Sequence, residues 1–66
     1  MWDYDLYTDD VQMADSKTIT NSLKQIETNL KQYGQNGWEL LAVEHLRTSD
    51  PNVVAMVHYL RKKKGA

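Results

Sequence analysis

The sequence predicts a small α+β domain, built β-α-β-β, with one helix packed on one face of a three-stranded antiparallel sheet. Three observations indicate this fold: an N-terminal segment that alternates between apolar and acidic residues, an amphipathic segment with helical spacing, and two apolar segments separated by a turn. A chain of 66 residues supports one modest core, so we expect residues 1–66 to form a single domain.

The first predicted strand covers residues 2–8. Trp2, Tyr4 and Leu6 alternate with other side chains, as in a strand with one buried face, so we expect these three to face the core. Residues 8–14 are polar and acidic and are predicted to form a loop.

The predicted helix covers residues 16–33. Its apolar side chains recur at spacings of four and three residues, which places them on one side of a helix: Ile19, Leu23, Ile26, Leu30 and Tyr33. Asp15 or Ser16 can cap the N-terminus. Gly34 is expected to close the C-terminus in the left-handed conformation.

Two further strands are predicted at residues 38–47 and 53–62, with a turn between them that contains Pro51, and a basic tail follows at residues 62–66. The two strands form an antiparallel hairpin. The last strand is the most continuously apolar, which is typical of a central strand. A right-handed crossover through the helix then predicts the strand order first-third-second, and direct parallel pairing of the first two strands is the alternative.

Both faces of the hairpin are apolar, although one helix covers only one face of a sheet. An exposed apolar face of this kind usually marks an interface. We therefore expect the helix-free face to contact a second copy of the chain or another protein, through Tyr7, Leu41, Val43 and Met56. A shift of one residue along the strands would exchange this set for the opposite one.

Three segments resemble a family of short bacterial and phage proteins described as domain of unknown function 4177. They are Trp2-Asp3-Tyr4, Gly34-Gln35-Asn36-Gly37-Trp38-Glu39-Leu40 and Tyr59-Leu60-Arg61-Lys62. The resemblance covers nearly the whole chain. It implies the same small fold and a bacterial or phage accessory protein, and it implies no activity, cofactor or functional residue.

The glycine- and tryptophan-containing block also has a structural interpretation, in which Gly34, Gly37, Trp38 and Leu40 form a turn and part of the core. Gly37 can adopt a positive φ where the chain enters the strand. Trp38 can pack its ring against the last helical turn. Glu39 points to the opposite face, where it can meet a cation at a strand end.

Charge is distributed unevenly, although the net charge is only −1. The first fifteen residues contain five Asp and no Lys or Arg, whereas the C-terminal part contains four consecutive cations, Arg61, Lys62, Lys63 and Lys64. In the predicted topology Asp3 and Asp5 lie beside the first three of these cations, and opposite charges across strands stabilise pairing by about 0.2–1 kcal/mol. Contact of the four cations with nucleic acid or another polyanion is the alternative role.

No pattern of reactive side chains indicates catalysis. The absence of Cys removes thiolate metal sites and cysteine nucleophiles. The acidic residues do not follow the spacing of a calcium loop, and His45 and His58 have no third residue to complete a zinc site. We therefore expect a protein that is not an enzyme and that has no metal and no cofactor.

The sequence thus leads to the hypothesis of a small protein-interaction module, a homodimeric adaptor or regulator. No apolar segment approaches the roughly 18 residues that cross a bilayer. The N-terminus is acidic, whereas a signal peptide begins with basic residues. We therefore expect a cytoplasmic protein that makes no membrane contact.

Overall fold

The computed structural model describes residues 1–65. It contains four elements in the predicted order: β1 (Trp2–Gln12), α1 (Ser16–Gln35), β2 (Glu39–Arg47) and β3 (Val53–Lys63). The strands form one antiparallel sheet in the order β1-β3-β2, which confirms the predicted topology and places the most apolar strand in the centre. Of the predicted basic tail, Lys62 and Lys63 belong to β3, and Ala66 lies outside the described residues.

The first strand is longer than predicted, because it extends to Gln12. The segment at 8–12 was predicted to be a loop, but it pairs with β3 from Thr8 opposite Val57 to Gln12 opposite Val53. Its polar composition hides the strand, since β1 is an edge strand and most of its side chains reach solvent. Val11 is the buried exception, at 4% exposure.

The helix covers the face of β1 opposite to the predicted one. Tyr7 and Val11 lie on the helix side, and the Asn29 side chain of α1 bonds the Tyr7 hydroxyl. Tyr4 and Leu6, predicted to face the core, are 69% and 60% exposed on the other side. The alternation along β1 is therefore real, but the prediction of its inner face is wrong.

Asp15 caps the N-terminus of α1 through a capping box. The Thr18 backbone N–H donates to Asp15 Oδ1 at 2.8 Å, and the Asp15 backbone N–H donates to Thr18 Oγ1 at 3.2 Å. A threonine replaces the Glu or Gln that usually completes this motif. For this reason the sequence alone does not decide between Asp15 and Ser16.

The helix also ends later than predicted. It continues through Gly34 to Gln35, and Asn36 is the C-cap with a φ of −94°. Gly34 therefore lies inside the helix and does not close it in the left-handed conformation. Gly37 does adopt a positive φ, +87°, as predicted. Its backbone N–H donates to the Gly34 carbonyl at 3.0 Å, which reverses the chain towards β2.

The core of the described chain is small. Its buried side chains are Val11, Ile26, Leu60 and His58. The helix packs on β1, and all nine residues of β2 are exposed. The accessible surface is 4957 Å², whereas a monomer of this size exposes about 4,300 Å². The radius of gyration is 13.4 Å, compared with about 11 Å for a compact chain of this length. The described chain is flat and leaves much of its surface exposed.

The capping box generates a test of helix stability. Asp15→Ala removes the acceptor for the Thr18 N–H and should lower the free energy of unfolding by about 1 kcal/mol. Asp15→Asn keeps an acceptor oxygen and should lower the free energy of unfolding by only a few tenths of a kcal/mol. Urea unfolding followed by helical circular dichroism, at one protein concentration, measures both. Equal losses in the two variants would contradict a capping role.

Candidate interaction surface

The helix-free side of the sheet, here called the open face, is largely apolar. Strand alternation and the register bring together on it Trp2, Tyr4, Leu6, Leu41, Leu46, Val57 and Tyr59. Tyr4, Leu6, Leu41 and Leu46 are all between 46% and 69% exposed. Monomeric proteins rarely leave so continuous an apolar patch in contact with water.

A β-bulge at Leu41 shapes the middle of the open face. The register shifts between Leu40 and Ala42, so Leu41 has no partner on β3. Leu41 borders a hollow of about 410 Å³ together with Tyr4, Leu6 and Tyr59. These side chains are mainly apolar, and Asp5 and Leu60 complete the lining of the hollow.

Of the four residues predicted to form the interface, only Leu41 lies on the open face. Tyr7 and Val43 are both paired with His58 and lie with it on the helix side, and Met56 follows the same alternation. Apart from Leu41, the residues on the open face are therefore the opposite alternating set, the outcome expected from a shift of one residue along the strands. Leu40, predicted to be core, is 45% exposed because the helix does not cover β2.

One ion pair and one cation–π contact, both made by Arg61, lie at one end of the open face. Arg61 Nε donates to Glu39 Oε2 at 3.0 Å, so Glu39 meets a strand-end cation as predicted. The Arg61 guanidinium also lies 4.0 Å from the centroid of the Trp2 ring. These contacts connect all three strands at one end of the sheet.

The predicted meeting of acidic and basic segments is confirmed by the register for Asp3, which lies opposite Lys62, but Asp5 lies opposite Leu60. The ion pairs among residues 1–65 nevertheless join Arg61 to Glu39 and Lys31 to Glu27, and they do not include Asp3 or Asp5. Alternation along β3 places Arg61 on the open face and Lys62 on the helix side. The four cations are thus divided between two surfaces, and polyanion binding stays a prediction.

A polar cluster lies beneath the helix. The Tyr7 hydroxyl donates to Asp9 Oδ2 and accepts from Asn29 Nδ2, each at 2.6 Å. His58, 2% exposed, stacks on the Tyr7 ring at 5.0 Å, and its Nδ1 lies 3.1 Å from the Tyr7 carbonyl oxygen. Burial, and then the hydrogen bond to Asp9, raise the pKa of Tyr7 above its ordinary value.

A second concave region, here called the aromatic groove, lies on the helix side between the end of α1 and the end of β3. Its volume is about 570 Å³, and it is lined by Tyr7, Asn29, Gln32, Tyr33, Asn36, Trp38 and Lys62. The Trp38 ring meets the Tyr33 ring edge-on, with centroids 6.2 Å apart, which confirms its predicted packing against the last helical turn. Sequence patterns did not predict the groove, because Tyr7 and Lys62 join the lining residues at 29–38 only in the folded chain.

The two histidines lie on neighbouring strands of the hairpin, with His45 opposite Met56 and His58 opposite Val43. Within residues 1–65, no group of three His, Asp or Glu side chains could hold a metal ion. No helix in this range combines the length and the apolar composition needed to cross a membrane.

No family model, curated protein or solved structure matches the chain. The resemblance to domain of unknown function 4177 therefore stays a prediction.

The polar cluster generates a test of helix packing. Tyr7→Phe removes the hydroxyl that joins Asn29 to Asp9, so the free energy of unfolding should fall by about 1–2 kcal/mol at neutral pH. Tyr4→Phe is the matched control, because Tyr4 lies exposed on the open face and its hydroxyl bonds no described residue. Urea denaturation of both variants measures the difference, and an equal loss would contradict the role of the cluster.

The same hydroxyl generates a prediction for alkaline pH. The pKa of Tyr7 is raised in the folded state, which favours the neutral phenol, so its stabilisation is complete below the ordinary pKa of 10.0. That stabilisation is lost as pH rises from 10.0 through the folded value. Unfolding free energies measured at several alkaline pH values should decline less steeply for Tyr7→Phe than for the wild type. Parallel curves would contradict the prediction.

Proposed function

We propose that the protein is a non-enzymatic interaction module that assembles as a homodimer through the open face. The observation that supports this best is the exposure of Tyr4, Leu6, Leu41 and Leu46 on one side of a sheet that no helix covers. Burial of apolar surface is the main driving force of protein association. A cytoplasmic adaptor or regulator is the role that we infer for such a dimer.

The area of the open face favours a second copy as its partner. A face of three strands with an eleven-residue central strand covers roughly 500 Å², from the usual strand spacing and rise. This is close to the roughly 600 Å² by which the chain exceeds the surface of a typical monomer. Two such faces together reach roughly 1,000 Å², the lower limit expected of a specific interface.

The charges of the open face do not oppose self-association. The net charge of the chain is −1, so two copies repel each other weakly. The face carries both signs, with Arg61 and Lys63 at one end and Asp10 and Glu44 elsewhere. Arg61 is already paired with Glu39. An isologous contact therefore brings together surfaces that are apolar in the centre and mixed in charge at the edges.

Pairing of two chains through the free edge of β1 is a less favourable route to a dimer. This edge belongs to a strand with Asp3, Asp5, Asp9 and Asp10. Two such strands side by side would bring like charges together, a common way in which proteins protect sheet edges. Stacking through the open face avoids this repulsion.

Oligomeric state measured by light scattering and sedimentation tests the proposal. The wild type should be a dimer at micromolar concentration, and Leu6→Glu should weaken dimerisation at least 100-fold, since it buries a charge in the interface. Leu23→Glu is the matched control: Leu23 is 50% exposed but lies on the helix, so the dimer should persist.

A monomeric wild type would overturn the homodimer. Loss of the dimer in Leu23→Glu but not in Leu6→Glu would place the interface on the helix side and would also contradict the proposal. A monomer that binds a different protein through Leu6 would assign the open face to a hetero-partner instead.

A further inference from the structure

The aromatic groove has two walls that meet at a corner. The Tyr33 and Trp38 rings are inclined at 83° with centroids 6.2 Å apart, and the Tyr7 ring continues the wall 5.6 Å from Tyr33. A planar ring inserted at such a corner can stack on one wall while it meets the other wall edge to face. The volume of about 570 Å³ is within the roughly 300–1,000 Å³ of small-molecule sites.

Lys62 is the one cation among the described residues that line this groove. Its Nζ lies 5.8 Å from the centroid of the Trp38 ring. No Asp or Glu carboxylate among residues 1–65 lies within 4.0 Å of it, although Asp3 is its neighbour across the strands. An anionic group placed beside the Trp38 ring would therefore give Lys62 an ionic partner.

Two amide side chains at the rim supply hydrogen-bonding groups. Asn36 Nδ2 donates to the Gln32 carbonyl at 2.9 Å, which leaves Asn36 Oδ1 as an acceptor. The Gln32 amide is exposed and makes no hydrogen bond to a described residue. By contrast, Asn29 and Tyr7 are already bonded to each other deeper in the groove. Polar atoms of a bound ring can therefore form hydrogen bonds with Asn36 and Gln32 at the rim of the groove.

We propose that the aromatic groove binds a planar ring that carries one anionic group, with the ring against Tyr33 and Trp38 and the anion beside Lys62. Aromatic carboxylates and nucleoside monophosphates share this chemistry. The groove lies on the side of the sheet opposite to the open face, so it stays accessible in the proposed dimer. Binding at the groove therefore does not depend on dimerisation.

The indole N–H signals of the two tryptophans in a ¹H–¹⁵N correlation spectrum report on this site with an internal control. Titration with AMP and with benzoate should shift the Trp38 signal saturably and leave the Trp2 signal in place, since Trp2 lies on the open face beside Arg61. Adenosine, which lacks the anion, and inorganic phosphate, which lacks the ring, should bind at least tenfold more weakly than AMP. The tighter of AMP and benzoate identifies the preferred anion.

Lys62→Gln should weaken AMP binding about tenfold, because it removes one charge-assisted contact. Lys64→Gln is the matched control, since Lys64 is an exposed cation that does not line the groove. The Trp38 ring is retained in both variants, so the packing against α1 is preserved. Leu6→Glu should leave AMP affinity unchanged, which separates this proposal from the dimer.

Three results would overturn the proposed site. The first is the absence of a saturable Trp38 shift at millimolar concentrations of both anionic probes. The second is an equal effect of Lys62→Gln and Lys64→Gln on affinity. The third is a shift of the Trp2 signal instead of the Trp38 signal, which would place ring binding at Arg61 on the open face.

Discussion

The rest of the structure depends on β3, which forms hydrogen bonds with a neighbouring strand on each side. Its eleven residues pair with β1 along their whole length and with β2 along most of it. This pairing determines which side chains share a face, and it buries His58 and Leu60. It also brings the acidic segment at 8–12 into the sheet despite its weak strand propensity. The helix adds to this frame, since it covers β1 and leaves β2 exposed.

The sheet exposes an apolar surface to water on one side, although polar groups lie beside the small apolar core on the other. Beneath the helix lies a cluster of Tyr7, Asp9, Asn29 and His58, whereas the face in contact with water carries Leu6 and its apolar neighbours. Of the hydrogen bonds in this cluster, the one between Asn29 and Tyr7 joins the helix to β1. These bonds contribute little hydrophobic stabilisation, however. The apolar surface that would complete a core is on the other side of the sheet.

Element order and strand order could be predicted because they depend on period, on turn residues and on the composition of β3. The packing of Trp38 on Tyr33 and a contact of Glu39 with a strand-end cation, which is Arg61, could be predicted too, since Trp38 and Glu39 directly follow the turn at Gly37. The face that meets the helix could not be predicted. Both alternating sets of the hairpin are apolar, so the choice depends on hydrogen bonds such as that between Tyr7 and Asn29, which no local pattern encodes.

The proposed dimer interface on the open face and the proposed ligand site in the aromatic groove together have a consequence that neither has alone. A dimer formed through the open face carries two copies of the aromatic groove, one on each outer side, because the groove and the interface lie on opposite sides of each sheet. Single contacts at a shallow site are weak, and two identical sites on one particle raise avidity only for a partner that is long enough to reach both outer sides at once. A flat subunit with a small core can therefore gain both stability and binding strength from the same symmetric contact.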